Sequence, residues 1–517
     1  MTTRKLLVAL VLALGLAAAP LWWWSRLPAL EAATPSEVPP ATRDTALGKA
    51  IRPLVDANPG RSGVYLLGDA HDAFAARVRL AQAAERTLDV RYYIWHNDTS
   101  GTLLFDALRG AADRGVRVRV LLDDNNTGGL DPVLAALDAH PNIEVRLFNP
   151  HVIRSARWLG YALDFPRLNR RMHNKSFTAD GQATIVGGRN VGDEYFGATS
   201  RVLFADLDVL AIGPVVDDVS RDFERYWTSR SSYRLASVLD AVAPARIAEI
   251  TGDLSRAAQQ ADATAYVDAV NSSRFVQQWN DRSLVPSWAD VRMISDDPAK
   301  GLGAAAADTL VFERLKAIIG DSVTQFDLVS PYFVPTSAGV DALTALARRG
   351  VKIRVLTNAL EATDVAVVHA GYARRRETLL RNGIELYELR RLAVDPEAVE
   401  HAGRFGSSGA SLHAKTFAVD RARIFVGSFN FDPRSARLNT EMGFVIESPE
   451  LAQKIEAAVA ARVPSEAFQV RLTDAGQLNW REWREGRAIE HNIEPGTTAL
   501  KRARVAVLAL LPVEWLL

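Results

Sequence analysis

Two short stretches of this chain carry the same chemistry in the same order. His173-Asn174-Lys175-Ser176-Phe177-Thr178-Ala179-Asp180 and His413-Ala414-Lys415-Thr416-Phe417-Ala418-Val419-Asp420 both read H-x-K-[S/T]-F-x-x-D. After six intervening residues each reaches a Gly-x-x-Asn ending, Gly187 to Asn190 and Gly427 to Asn430. Two histidines with two lysines in matching settings suit transfer at phosphorus. One imidazole can attack the phosphorus and the other can protonate the leaving group, while the ammonium groups neutralise the phosphate oxygens.

On a strand, residues two apart share a face, so His173 should project with Lys175 and His413 with Lys415. Asp180 and Asp420 complete the signature and are counted with the catalytic set. Their positions nevertheless look structural, because Asp180-Gly181 is a hairpin signal and Asp420-Arg421-Ala422 a weaker one. A histidine that attacks or protonates works best when its far ring nitrogen meets a carboxylate. Asp206 and Glu441, each eight residues before a proline (Pro214 and Pro449), occupy corresponding places and are expected to orient the histidines, with Asp208 as the alternative in the first half.

The elements that must position these groups are themselves duplicated. Arg114-Gly115 followed by Val116–Leu121 matches Arg349-Gly350 followed by Val351–Leu356, each a helix-period segment ending at glycine before an alternating strand. Upstream, Thr87–Trp95 and Gln325–Val334 read as strands, and downstream Ile143–Leu147 pairs with Ile384–Glu388. The order strand, helix, strand, helix, strand predicts an α/β sandwich with a parallel or mixed sheet in each half. The offset between copies is 235 residues at Gly115 and Gly350 and 240 at the histidines. The expected organisation is a first lobe at 46–235, a mostly helical connector at 236–300, a second lobe at 301–475 and a C-terminal extension at 476–517.

The 517 residues are 48% hydrophobic and 24% charged, as in an ordinary folded protein. Lysine plus arginine balances aspartate plus glutamate at 61 each, so no global field favours nucleic acid, and none is expected as a partner. There is no cysteine, which excludes disulfides and thiolate metal sites. The nine histidines form no metal-ligand spacing outside the repeated motif, so neither a metal nor another cofactor is implied.

Arg4 and Lys5 precede an uncharged run from Leu6 to Trp24, long enough as a helix to span about 28 Å. Residues 1–30 are read as a membrane anchor or signal segment. An uncleaved anchor is favoured, because Pro20 would follow a cut after Ala17-Ala18-Ala19 and Trp22–Trp24 suit the interface. Residues 31–45 read as a linker. The flanking charges place the remainder outside the inner membrane. Arg154–Arg171, which interleaves Trp158, Tyr161 and Phe165 with five arginines, suits either an anionic lipid surface or a solvated face. Val505–Leu517 is too short to span a bilayer and is expected to lie on its surface or on the protein's own core.

The doubled H-x-K-x-x-x-x-D resembles the signature of the phospholipase D superfamily. The stretches Leu88–Trp95, Arg171–Phe177, Val186–Asn190 and Ser428–Ser435 are similar, more narrowly, to bacterial cardiolipin synthases that use phosphatidylethanolamine as donor and phosphatidylglycerol as acceptor. The resemblance runs from about residue 60 to Leu517. It implies two homologous α/β sandwich lobes related by a pseudo-twofold, with one active site at their interface. It further implies that His173 forms a phosphatidyl-histidine and that His413 acts as acid and then base. Lys175, Lys415, Asn190 and Asn430 would bind the phosphate oxygens, and the hydroxyls of Ser176 and Thr416 either assist or satisfy backbone groups. Exchange of the two histidines' roles stays open, and no protein partner is read. The substrates implied are phospholipids at a membrane. The alternatives are a phospholipase D or nuclease using water, and a membrane scaffold without catalysis.

Overall fold

The computed structural model describes residues 26–30, 44–199, 202–363, 365–391, 409–511 and 514–517. The apolar run Leu6–Trp24 and nearly all of the expected linker lie outside the described residues. Among the described residues no helix is long and apolar enough to cross a membrane.

Each lobe is built on a buried central strand. In the first lobe Thr87–Ile94 runs parallel to Arg117–Asn126 and antiparallel to the motif strand Ser176–Ala179. In the second, Gln325–Val329 runs parallel to Lys352–Asn358 and antiparallel to Lys415–Val419. The crossover helices Thr99–Asp113 and Thr336–Arg348 end at Gly115 and Gly350, both at φ 91°, a left-handed conformation that carries no Cβ penalty at glycine. Outward from the centre, the order passes through Ile143–Phe148 to Ser232–Arg234 and through Glu385–Leu389 to Ala467–Leu472. Inward it passes through Ala183–Gly187, Asp208–Ile212 and Ser62–Leu67, and through Arg423–Gly427, Met442–Glu447 and Ser287–Ser295.

The two innermost strands, Ser62–Leu67 and Ser287–Ser295, pair antiparallel with Gly63 opposite Trp288. All the described strands except Val202–Ala205 and Gly409–Leu412, which pair with each other, therefore join in one mixed sheet of two pseudo-twofold-related halves. Val64, Val186, Val209, Ala289, Val426, Phe444 and Ile446 form an apolar core shared across this seam. Each valine, isoleucine or phenylalanine of this set contributes roughly 1.5–3 kcal/mol by burial, so the lobes are held as one body. Strand Ser287–Ser295 lies inside the segment read as a connector. It follows three helices, Pro244–Ala257, Ala261–Asn271 and Arg274–Asn280, whose Ile250, Leu254, Tyr266 and Phe275 pack into the first lobe's core. The last strands, Leu478–Arg484 and Arg487–His491, extend the second lobe's sheet.

The motif aspartates, counted with the catalytic set, lie apart from the histidines. Asp180 (φ 52°) and Asp420 (φ 53°) sit at the hairpin turns after the motif strands, at the far end from the histidines. The Asp180 carboxylate accepts from the backbone N–H groups of Glu85, Arg86 and Thr87 at 2.8–3.1 Å. Asp420 does the same for Val323, Thr324 and Gln325 at 2.8–3.1 Å. Both aspartates tie the loop before the central strand to the hairpin. Asp180→Ala strands three donors and is expected to reduce stability by about 3 kcal/mol while leaving turnover per folded molecule close to wild type. Chemical denaturation alongside activity corrected for the folded fraction checks this. A thousandfold loss of turnover at unchanged stability would restore Asp180 to the chemistry.

Candidate active site

The two histidines are placed by backbone pairing between lobes. Met172 bridges Thr440 in parallel, with His173 N–H donating to the Thr440 carbonyl at 2.9 Å and Thr440 N–H to the Arg171 carbonyl at 2.9 Å. On the other side, Val202–Ala205 of the first lobe pairs in parallel with Gly409–Leu412 of the second. There the N–H groups of His413 and Ala414 both donate to the Ala205 carbonyl, at 2.8 and 2.9 Å. Each histidine segment is thus joined to the residue that precedes the opposite lobe's carboxylate.

The side chains follow the backbone. His173 Nδ1 lies 2.9 Å from Glu441 Oε2, and His413 Nδ1 lies 2.5 Å from Asp206 Oδ2. The carboxylates sit where the sequence placed them, yet each serves the histidine of the other lobe. Asp208, the alternative in the first half, is occupied elsewhere: it pairs with Arg77 at 2.8 Å and Arg189 at 3.4 Å, all three buried. Gly188 has to be glycine, because a Cβ there would meet Asp206 Oδ1 at 2.2 Å. The corresponding Ser428 instead donates its hydroxyl to Glu441 Oε2 at 2.5 Å.

His173 and Lys175 precede the strand Ser176–Ala179 rather than lying within it, and Lys175 Nζ donates to the His173 carbonyl at 2.6 Å. Lys415 Nζ lies 2.9 Å from His413 Nδ1 and donates to the His413 carbonyl. Both lysines are buried. Rings that sequence reasoning did not single out wall the site. Tyr93 meets His173 edge-on at 4.9 Å and lies under Lys175; Tyr195 meets His413 edge-on and Phe204 stacks on it, both at 5.1 Å. Tyr93 follows the central strand's alternation, but nothing in the sequence marks Tyr195 or Phe204. Asn190 Nδ2 donates to the Tyr195 hydroxyl at 2.9 Å, whereas Asn430 Oδ1 is buried without a partner among the described residues. Thr416 spends its hydroxyl on the Phe425 carbonyl at 2.6 Å; Ser176 Oγ is buried without a partner among the described residues.

The two histidine–carboxylate pairs differ electrostatically. Burial, reinforced by Lys175, Lys415 and His413, holds His173 well below the ordinary histidine value. Burial likewise pushes its partner Glu441 up to about 7, against the opposing pull of Lys175 and Lys300. Burial and Lys415 lower His413 too, but Asp206 pulls it upward. Burial opposes the ionisation of Asp206, yet the charge and hydrogen bond of His413, with Lys415 and Arg189, outweigh it and hold Asp206 below its ordinary value. Burial also drives Lys175 well below the usual lysine value, with Lys415 adding to the effect. The His173 side therefore favours a neutral pair, whereas on the His413 side the carboxylate stays ionised.

His96, Asp98 and Glu194 bring three metal-ligating atoms within 4.8 Å of one another. These groups are engaged within the protein: Asp98 accepts from the N–H of Gly101 and Asp193, and Glu194 pairs with His96 at 3.2 Å.

The arginines of Arg154–Arg171 brace the fold and do not form a free basic face. Arg154 pairs with Asp124 and Asp131, Arg167 with Asp164, and Arg171 with the buried Asp123 at 2.8 Å, because each faces an acid fixed near a strand end or a helix end. The large hydrophobic side chains this segment leaves exposed are Trp158, Leu163 and Phe165. At the C-terminus, helix Ala499–Ala509 buries Val505 against Leu360 and Ala370, and Leu517 packs on Val334 and Val368. Leu500, Val507 and Leu510 remain exposed.

Comparison with known proteins agrees with this geometry. The family description "Cardiolipin synthase, PLD-like domain" matches residues 78–227 and 315–462, one match per lobe. Cardiolipin synthase C of Escherichia coli K12 is 53% identical over 471 residues, covering 91% of this chain and 99% of that protein. A cardiolipin synthase of Staphylococcus aureus is 23% identical over 419 residues, covering 81% of this chain and 70% of that protein. The solved structure of phosphatidylserine synthase from Haemophilus influenzae Rd KW20 superposes with TM-score 0.56 at 14% identity, covering 92% of this chain and all of that one, and shares the fold.

Opposite stability changes are expected from the two carboxylates. Glu441 titrates higher when folded than its ordinary 4.5, so its contribution is full in acid and is lost as pH rises through about 7. Glu441→Gln should therefore be more stable than wild type at about pH 8, by up to about 3 kcal/mol, with the gain shrinking toward acid. Asp206 is held low, so its contribution is present above the ordinary carboxyl range and is lost as pH falls. Asp206→Asn should be less stable at about pH 8 and converge on wild type in acid. Unfolding curves across this range decide the matter, and parallel behaviour of the two variants would contradict the assigned asymmetry.

Proposed function

This chain belongs to the cardiolipin synthase family of phospholipase D-like phosphatidyltransferases, and on that footing we propose that it makes cardiolipin from phosphatidylethanolamine and phosphatidylglycerol through a phosphohistidine. The observation that carries the reading is the pair of buried histidines, each held at Nδ1 by a carboxylate of the opposite lobe. That contact leaves both Nε2 atoms for chemistry.

His173 is the proposed nucleophile. Its surroundings keep it neutral, as attack requires, and Glu441 is placed to take up the positive charge that develops. The P–N bond forms as the P–O bond to the ethanolamine breaks. His413, paired with an ionised Asp206 and better able to carry a proton, delivers that proton to the departing oxygen. In the second half, His413 takes the proton of a phosphatidylglycerol hydroxyl as its oxygen attacks phosphorus and the P–N bond breaks. Lys175 and Lys415, with Asn190 and Asn430, are proposed to stabilise the equatorial oxygens of the five-coordinate phosphorus. Walls of Tyr93, Tyr195 and Phe204 help exclude water, which otherwise would intercept the covalent intermediate. The reaction is proposed to take place at the inner membrane on its outer side, as expected from Arg4 and Lys5 before Leu6–Trp24.

Full-length protein given liposomes of the two lipids, with the ethanolamine lipid isotope-labelled in its phosphatidyl part, should yield labelled cardiolipin by mass spectrometry. His173→Ala and His413→Ala should each reduce the yield by at least about a thousandfold. Phosphatidic acid as the sole labelled product would replace the transferase reading with a hydrolase. Unlabelled cardiolipin would remove phosphatidylethanolamine as donor.

A further inference from the structure

The two orienting carboxylates are backed by different cations. Behind Asp206 stands Arg189, in the first Gly-x-x-Asn ending, where it donates to the Leu67 and Gly68 carbonyls at 2.8 and 2.6 Å and acts on Asp206 by charge. The second ending carries Phe429 at that position and offers no charge. Besides Lys175, the cation acting on Glu441 is instead Lys300, in the short 3-10 helix Pro298–Leu302 that follows the seam strand. Lys300 is 3% exposed and its Nζ donates to Asp296 Oδ2 and to the Ser435 carbonyl, both at 2.8 Å. The same Asp296 oxygen accepts the backbone N–H of Glu441 at 2.8 Å, and Glu441 N–H is thereby fixed from outside the repeat. Ser435 lies in helix Pro433–Arg437, and its hydroxyl accepts the Asn430 N–H at 3.3 Å. One buried ammonium thus anchors both the residue that orients His173 and the segment that carries Asn430.

We infer that Lys300, paired with Asp296, is a positioning residue that holds Glu441 and sets the charge balance against which His173 works. The inference rests on the proposed role of His173. Glu441 is faced by His173 and Lys175 from the first motif segment, with Lys415 beyond Lys175. From the second lobe it is faced by Ser428, Ser435 and Asp432, and from the seam segment by Asp296 and Lys300. A buried ion pair that only clamped a loop would change stability without moving a titration. A pair that sets the charge at Glu441 must move it in opposite directions when its two members are neutralised separately.

The measurement is the pH dependence of headgroup amine release from phosphatidylethanolamine vesicles by the full chain. Amine is released by hydrolysis and by transfer alike, so failure of the transferase reading leaves this test intact. Glu441 must be ionised to support the developing charge on His173, so its titration sets the acid limb of the profile. Lys300→Met removes a positive charge, makes the carboxylate harder to form and should shift that limb up by about one pH unit, roughly a tenfold loss below it. Asp296→Asn keeps an acceptor for the Glu441 N–H, leaves the Lys300 charge unopposed and should shift the limb down. Lys300→Arg should restore the wild-type limb. If Lys300→Met does not fold, the downward shift of Asp296→Asn and the rescue by arginine still decide. Limbs that stay in place, or move the same way in both neutral variants, would reduce the pair to a structural clamp.

Discussion

The structure depends on a backbone exchange between its halves. The Thr440 carbonyl receives His173 N–H and the Ala205 carbonyl receives His413 N–H, and in each case the next residue is the carboxylate that meets the histidine ring. A carbonyl fixed in a short parallel pairing leaves the following side chain little freedom, so carboxylate and imidazole arrive together. Neither half can supply a complete histidine–carboxylate pair by itself. The shared apolar core under the seam, with Val426, Phe444 and Ile446 against Val64 and Val209, keeps the halves in the register the exchange requires.

Duplication produces symmetry in the backbone, and a few residues break it in the chemistry. Glycine at 188 lets Asp206 approach closely, while serine at 428 gives Glu441 a hydroxyl donor. Arg189 has its counterpart in Phe429, and the missing charge is provided by Lys300 from a different segment. Glutamate in place of aspartate, in a more enclosed setting, makes one carboxyl reluctant to ionise while the other stays charged. Under the proposed mechanism, unlike partners separate an attacking base from a proton donor, the arrangement by which paired titratable groups divide acid and base work.

Much of this was legible before any coordinates. The octapeptides, the Gly-x-x-Asn endings and the helix-stopping glycines at 115 and 350 are local patterns, and local patterns survive in sequence. Asp180 and Asp420, counted with the catalytic set, already looked structural because a positive-φ turn has a sequence signature, and the three N–H contacts of each show what the turn is for. The crossing of the carboxylates between lobes was not legible, since a repeat pairs equally well within or between copies on paper. Strand Ser287–Ser295 was absorbed into the connector because three amphipathic helices precede it and its partners, Ser62–Leu67 of the first lobe and Met442–Glu447 of the second, are remote in sequence. The arginines of Arg154–Arg171 read as a surface feature because Asp123, Asp124 and Asp131 are remote in sequence and adjacent only after folding.

The central claim is that one site, assembled from both lobes, carries the phosphatidyl group on His173. It is tested most directly by incubating the full-length protein with phosphatidylethanolamine radiolabelled at its phosphorus in the absence of an acceptor lipid, quenching in alkali and mapping the label to peptides. The account predicts an acid-labile, alkali-stable adduct on the peptide that contains His173, absent from the one that contains His413. A label on His413, or release of amine with no adduct on either histidine, would contradict it.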